Sequence, residues 1–233
     1  MRAVVCVPRR GQTPEYDHAW ALASVYYRRL NVFVADSPTP RFQLNTARNA
    51  AAKAAGDWDV AAFINADCLI PVESIQRGIA HAVATGHVTV PWDHYWSLTH
   101  AGHEAGLDSQ VPIGNPDLEA RWIAASEPFR QPFYAPGGDI IIPRSEWDRI
   151  GGWDESFTGY EPEDAAMLVA AGQFDRLTGP AFHFWHPSNV GEEPGAWPPY
   201  RARWHEMQSR GEFVQRLPDE GRELYDFGGW QWG

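Results

Sequence analysis

The chain has 233 residues, enough for one α/β domain or for a domain with a small extension, and its 44% hydrophobic and 21% charged residues are typical of a globular protein. The net charge of -11 disfavours a broad duplex-DNA surface, which requires a basic face, but it leaves room for a local basic patch. No apolar run reaches the length of about 18 residues that a membrane span needs. Cys6 and Cys68 lack metal-binding or redox spacing, so we expect buried thiols in a cytoplasmic protein.

The first 90 residues alternate between strand and helix patterns. Strands are predicted at Ala3–Val7, Asn31–Ala35, Val60–Asn65 and His87–Val90. Helices are predicted at Trp20–Leu30, from an Asn45 N-cap to Gly56, and from Pro71 to Gly86. This alternation predicts an α/β fold, with a mostly parallel mixed sheet and helices on both faces. Such sheets bind ligands at the carboxyl ends of their strands.

The second half contains a long segment of weak periodicity. Residues 91–136 are rich in proline, glycine, histidine and aromatics, which predicts a partly irregular functional insert. A strand at Asp139–Ile142, helices at Ser145–Ile150 and Pro162–Ala171, and a last strand at Ala181–Trp185 follow. We therefore expect one domain over residues 1–190, with residues 191–233 as a Trp/Pro/Gly-rich extension packed on it.

A polar turn, Asn65-Ala66-Asp67, follows the apolar strand that ends near residue 65. Hard cations such as Mg²⁺ or Mn²⁺ take one or two carboxylates and leave positions for phosphate oxygens. Asp67 is therefore a candidate cation ligand at a strand end. The alternative is a helix cap, since an aspartate before a proline-initiated helix commonly has that role.

His183 and His186 end the last predicted strand. A spacing of three places them on opposite faces for as long as the strand persists. Both can face one ion only if the chain turns near Trp185, which Pro187 permits. His186 is therefore the preferred ligand and His183 a further candidate, and imidazole suits Mn²⁺ better than Mg²⁺. The alternative is that both are ordinary core or surface histidines.

Two further groups have both a structural and a functional interpretation. Glu161, Glu163 and Asp164 lie at a predicted helix start, where acids interact favourably with the helix dipole. Three acids in four residues exceed what capping requires, which indicates a general base. Arg48 lies in the first turn of its helix and is either a surface arginine or a contact for phosphate or ribose.

Taken in order, four blocks of the chain resemble the GT-A glycosyltransferases, nucleotide-sugar enzymes with a Rossmann-like sheet. The pattern is most similar to the β-1,4-galactosyltransferase and polypeptide N-acetylgalactosaminyltransferase group. The blocks are VCVPRRG, LNTARNAAAKAAG, FINADCLIP and PGGDIIIPRSEWDRIGGWDESFTGYEPEDAAM, and HFWH resembles the closing metal-ligand segment. Together they cover roughly residues 3–190.

This resemblance implies a metal-dependent, inverting glycosyltransferase that uses a nucleotide-sugar donor. Asp67, His186 and His183 would hold Mn²⁺ or Mg²⁺, and Asp164 would deprotonate the acceptor hydroxyl. Trp153 and Tyr160 would offer stacking faces to the acceptor. The residues implied to bind the donor are Pro8, Arg9, Asp36, Arg48, Asn65, Gly137, Gly138 and Glu163. UDP-sugar is the default donor by resemblance; the sequence does not identify the acceptor, and its acidic charge disfavours nucleic acid without excluding it.

The chain departs from the family pattern at two motifs. Asn65 stands where the family has the first acid of its Asp-x-Asp motif, and Glu161-Pro162 replaces a Gly-Gly step. Two alternatives remain open. A nucleotidyltransferase would need a glycine-rich loop after the first strand, which Pro8–Gly11 is not. A non-catalytic sugar- or nucleotide-binding module fits Asn65 and the 12 tryptophans, but it has little need for a base such as Asp164.

Overall fold

A computed structural model describes residues 1–11, 13–129, 138–157 and 163–187, and the backbone of 214–216. The strands are β1 Ala3–Pro8, β2 Val32–Ala35, β3 Val60–Phe63, β4 Cys68–Leu69, β5 Val88–Val90, β6 His94–Leu98, β7 Ser126–Phe129, β8 Ile140–Pro143, β9 Gln173–Arg176, β10 Pro180–His183 and β11 Val214–Arg216. The helices are α1 Pro14–Tyr26, α2 Leu44–Ala54, α3 Val72–Thr85, α4 His100–Glu104, α5 Pro116–Ala124, α6 Arg144–Ile150 and α7 Glu163–Ala171, with a 3₁₀ turn at Leu107–Ser109. None of the helices in these described parts has the length and apolar character needed to cross a bilayer.

The main sheet has seven strands in the order β2-β1-β3-β8-β5-β9-β11. Its neighbours pair in parallel except β8, which runs antiparallel to both β3 and β5. The central strands β1, β3 and β8 are buried along almost their whole length, which explains their continuous Val, Ala and Ile runs. Helices α2, α3, α6 and α7 pack on this sheet. The predicted α/β fold with a mostly parallel mixed sheet is confirmed.

A second sheet takes two of its four strands from the segment that was predicted to be an irregular insert. Its four strands follow the order β4-β10-β6-β7. The insert region supplies β6 and β7 and the helices α4 and α5, so residues 91–129 are more regular than their sequence suggests. Strand β6 is ordered by its pairing with the distant strand β10. A contact between residues so far apart in sequence produces no local periodicity that sequence analysis could detect. Residues 130–136 of the insert lie outside the described part.

Two predicted helix starts were wrong. Helix α1 begins at Pro14, six residues before the predicted start, because the Thr13 side chain accepts a hydrogen bond from the Tyr16 amide and Pro14 fits the first turn. Asn45 is inside α2 and does not cap it. The Asn45 side chain instead donates to the backbone oxygen of Asp154 at 2.8 Å, which ties α2 to the segment before α7.

Candidate functional site

Four strands bring polar groups to one edge of the main sheet. The parallel strands β1, β2 and β3 end there, and the antiparallel strand β8 begins there. Phe63 pairs with Ile140, so the turn after β3 faces the residues that precede β8. This edge is where an open α/β sheet forms its ligand crevice.

Asp67, His183 and His186 converge beside this edge. Nε2 of His186 lies 3.3 Å from Oδ2 of Asp67, and Nε2 of His183 lies 3.7 Å from the same oxygen. The two Nε2 atoms are 3.3 Å apart. The two histidines meet because β10 ends at His183, which frees the next three residues from the strand's alternation, and the Phe184 amide donates to the Asp67 carbonyl at 2.9 Å.

The three-residue cluster has the dimensions of a metal site. Ligands at about 2.1 Å from one ion lie about 3.0–3.5 Å apart in octahedral or tetrahedral geometry. The observed separations of 3.3, 3.3 and 3.7 Å are close to that range. Oδ1 of Asp67 is buried and has no hydrogen-bond partner among the described residues, as expected of an atom reserved for a ligand. The cluster therefore fits a divalent cation, and its two imidazoles favour Mn²⁺ over Mg²⁺.

Electrostatics stabilise the carboxylate form of this cluster. Burial opposes ionisation of Asp67, but the hydrogen bonds and charges of His183 and His186 outweigh it and hold the pKa of Asp67 well below its usual range. For His186, burial favours the neutral ring, yet the Asp67 carboxylate raises the pKa of the imidazole. A proton and a metal ion would therefore compete for Nε2 of His186, the nitrogen that faces Asp67.

Aromatic rings support the two imidazoles. Tyr16 of α1 stacks on His186 with ring centroids 4.2 Å apart, and Tyr95 of β6 stacks on His183 at 5.7 Å. Burial and the charge of Asp67 raise the pKa of Tyr16. The sequence analysis missed Tyr16, because nothing in the pattern of α1 distinguishes a ring beside a metal site from an ordinary helix residue.

A second network, centred on Arg48, lies beside the turn after β3. Arg48 has 0% exposure, which excludes the alternative of a surface arginine. Its guanidinium donates to Asp164 Oδ1 at 3.3 Å, to Asn65 Oδ1 at 3.3 Å and to Asn45 Oδ1 at 3.1 Å. It also lies 4.0 Å above the ring centroid of Trp153. Arg48 thus connects three of the four sequence blocks.

Gly138 makes this network possible. It has a φ of +63°, and a Cβ at this position would come within 2.6 Å of both Arg48 Nη2 and Asp164 Oδ1. The same atom would lie 2.8 Å from the ring of Trp153. Trp153 is 2% exposed, and Arg48 covers one face of its ring. In this arrangement Trp153 supports Arg48, and no face of the ring is open for acceptor stacking.

The residues after β1 and β2 form two ion pairs. Pro8 ends β1, and Arg9 pairs with Asp17 of α1. Asp36 follows β2 and accepts from Arg10 Nε through both carboxylate oxygens, at 2.8 and 2.9 Å. Arg10 also donates to the carbonyls of residues 37, 39 and 40, so it organises the loop after β2. The predicted donor residues Pro8, Arg9 and Asp36 therefore stand at the same edge, with both Arg9 and Asp36 already paired.

Among the remaining predicted site residues, the structure describes Glu163 and Asp164. Glu163 opens α7 next to Asp164, which is 4% exposed. Gly137 and Tyr160 lie outside the described residues. Asp139 was missed: it has 0% exposure, and its Oδ1 accepts from the Asn65 amide at 2.7 Å. Burial raises the pKa of Asp139 to about 7. The signal that could have identified Asp139 from sequence is its position, an acid directly before the apolar run Ile140–Ile142.

Comparisons with known proteins concern the fold. No family model matches the chain, and no curated protein matches it. Among solved structures the chain is similar to S. aureus TarS, with a TM-score of 0.48 and 12% identity over 90% of this chain and 39% of that one. A TarS fragment in complex with UDP-GlcNAc gives 0.47 and 11%, over 90% and 66%. A mutant Drosophila β-1,4-galactosyltransferase 7 in complex with manganese, UDP-Gal and xylobiose gives 0.46 and 11%, over 82% and 67%. The chain thus spans 39–67% of the lengths of these proteins.

Proposed function

We propose that this protein is a metal-dependent, inverting glycosyltransferase that transfers a sugar from a nucleoside-diphosphate donor to an acceptor hydroxyl. The observation that carries the proposal is the convergence of Asp67, His183 and His186 beside the carboxyl ends of the central strands. A cation site at that edge, next to a buried arginine, is suited to a diphosphate.

The charge of the site supports a diphosphate complex. A bound Mn²⁺ would supply the positive charge that stabilises a departing nucleoside diphosphate. On the protein side, Asp67 and the two histidines orient the cation. Asn65 keeps an amide oxygen beside Arg48, and its amide group suits a ribose hydroxyl. Pro8, Arg9, Asp36 and Gly138 border the same edge, and UDP-sugar is the donor that we propose to test first.

For the proton transfer we propose Asp164 as the general base and Glu163 as a ligand for sugar hydroxyls. Both lie in the first turn of α7, where the helix dipole favours the ionised form. The 3.3 Å contact between Asp164 and Arg48 favours the carboxylate as well. An ionised carboxylate accepts the proton of the acceptor hydroxyl as that oxygen attacks the anomeric carbon from the face opposite the leaving group, which gives inversion.

The second candidate is a non-catalytic sugar- or nucleotide-binding module. It is favoured by the 4% exposure of Asp164, whose carboxylate contacts Arg48. The two functions differ in what happens to the donor. A transferase hydrolyses the donor slowly in the absence of acceptor, whereas a binding module releases no nucleotide.

The decisive experiment is calorimetric titration with UDP, GDP, ADP and dTDP, in Mn²⁺ and in EDTA, followed by a donor-hydrolysis assay with the sugar nucleotide of the base that binds. We expect Mn²⁺-dependent binding of one nucleotide and slow release of nucleotide from its sugar derivative. Binding without release favours the module. No binding of any nucleotide in Mn²⁺ contradicts the transferase and leaves only a module that binds sugar.

The Asp164→Asn variant tests the base. We expect donor hydrolysis to fall by about 10²–10⁴-fold, which is the usual contribution of a general base. Donor affinity should stay within about threefold, since the amide keeps an oxygen for Arg48. Residual hydrolysis above a tenth of the unmodified rate removes Asp164 from this role.

A further inference from the structure

The buried carboxyl group of Asp139 contacts the turn Asn65-Ala66-Asp67. Asp139 stands at the start of β8, across from the end of β3, and has 0% exposure. Its Oδ1 accepts from the Asn65 amide at 2.7 Å. The Cys68 thiol, a weak donor, lies beside this carboxyl group, and Oδ2 is buried without a further hydrogen-bond partner among the described residues. A buried carboxylate with one unsatisfied oxygen is costly unless a positive charge lies near it.

The buried carboxyl groups here outnumber the buried cations. Asp67, Asp139 and Asp164 are all less than 10% exposed, and Arg48 is the one buried cation beside them in the described part of the site. Asp67 and Asp139 interact electrostatically with each other, and Arg48 also acts on Asp139. Asp139 is not one of the three residues whose ligand atoms lie within 4.8 Å of one another, so it can act on a cation through its charge and through the turn that it holds.

Position 65 explains why a second acid is useful here. Asn65 carries no charge, so the turn itself provides the single carboxylate of Asp67. We propose that Asp139 is a positioning residue of the cation site: it holds the Asn65–Asp67 turn through the Asn65 amide and, in its ionised form, supplies the second negative charge that Asn65 lacks. This inference rests on the cation site of the proposed function and not on the transfer reaction.

The test is Mn²⁺ titration of the intact protein without nucleotide. We expect Asp139→Asn to weaken Mn²⁺ binding by at least tenfold, although the amide oxygen still accepts from the Asn65 amide. Restoring the charge at the neighbouring position, in the double variant Asn65→Asp with Asp139→Asn, should recover most of that loss. The increase in Tm caused by Mn²⁺ should be smaller in Asp139→Asn than in the unmodified protein, a difference that a purely structural role does not produce.

Asp175→Asn is the matched control. Asp175 is equally buried, on β9, and pairs with His81 and His87 rather than with the cation cluster. Its variant should bind Mn²⁺ like the unmodified protein.

Three results overturn the inference. They are an affinity of Asp139→Asn within twofold of the unmodified protein, no recovery in the double variant, and an equal loss of Mn²⁺ affinity in Asp175→Asn. If the unmodified protein binds no Mn²⁺, this inference and the proposed metal-dependent function both fail. If Mn²⁺ binds as expected but no sugar nucleotide is hydrolysed, the role of Asp139 stands and the transferase function does not.

Discussion

Replacing Arg48 with methionine tests whether the buried arginine network holds the site together. Methionine keeps much of the apolar volume but removes the cation from Asp164 and from the face of Trp153. Breaking a buried charge pair costs about 3–5 kcal/mol, and losing a desolvated cation–π contact adds about 1–2 kcal/mol. We therefore expect the free energy of unfolding to fall by roughly 4–7 kcal/mol, which for a domain of this size lowers Tm on the order of 10–30 °C.

The assay is urea unfolding in EDTA, so that metal binding does not contribute. Arg144→Met is the matched control, because Arg144 has an exposed pair with Asp148 and lies 5.0 Å from the ring centroid of Trp58. Its loss should cost about 1 kcal/mol or less. If Arg48→Met costs no more than Arg144→Met, the network does not stabilise the fold as argued. A double variant that adds Asp164→Asn should recover part of the loss, since the two groups interact directly.

Two further predictions concern backbone conformation and pH. Gly138→Ala should destabilise the protein by well over 1 kcal/mol and impair nucleotide binding, because the new methyl group would meet Arg48 and Asp164 at 2.6 Å. Gly86→Ala, with a similar φ of +75° and open space around it, should cost only the conformational penalty of about 1 kcal/mol; equal losses of stability in urea unfolding would contradict the clash. In EDTA, the pKa of His186 is raised above its ordinary value of 6.5. The interaction of His186 with Asp67 therefore stabilises the fold fully below pH 6.5, and this stabilisation is lost as the pH rises through the raised pKa. The lowered pKa of Asp67 contributes stability that is fully present above pH 3.8 and is lost as the pH falls below that value. The Tm of the metal-free protein should therefore fall from pH 6 to pH 8 relative to His186→Gln, while Mn²⁺ affinity should rise over the same range because the metal requires a neutral ring. A Tm difference between the two proteins that is flat over this range would refute the coupling of His186 to Asp67.

The sequence by itself determined the α/β class and the edge of the sheet where the candidate site lies. Continuous apolar runs identified β1, β3 and β8, since strands buried on both faces need no polar alternation. Polar residues directly after such runs, above all Asp67, fall at the strand ends whatever the details of packing. The spacing between His183 and His186 also left a testable condition, a turn near residue 185.

Only the tertiary structure decided which of these groups meet. His183 and His186 converge because β10 stops at His183, and that stop depends on its partners β4 and β6. The order of the segment 91–129 likewise comes from strand pairing between residues far apart in sequence, β6 with β7 and with β10, which a local period does not reveal. Arg48 was ambiguous and Asp139 was missed for the same reason: whether a charged side chain is a surface group or a buried one depends on what packs over it, and residues distant in sequence supply that cover.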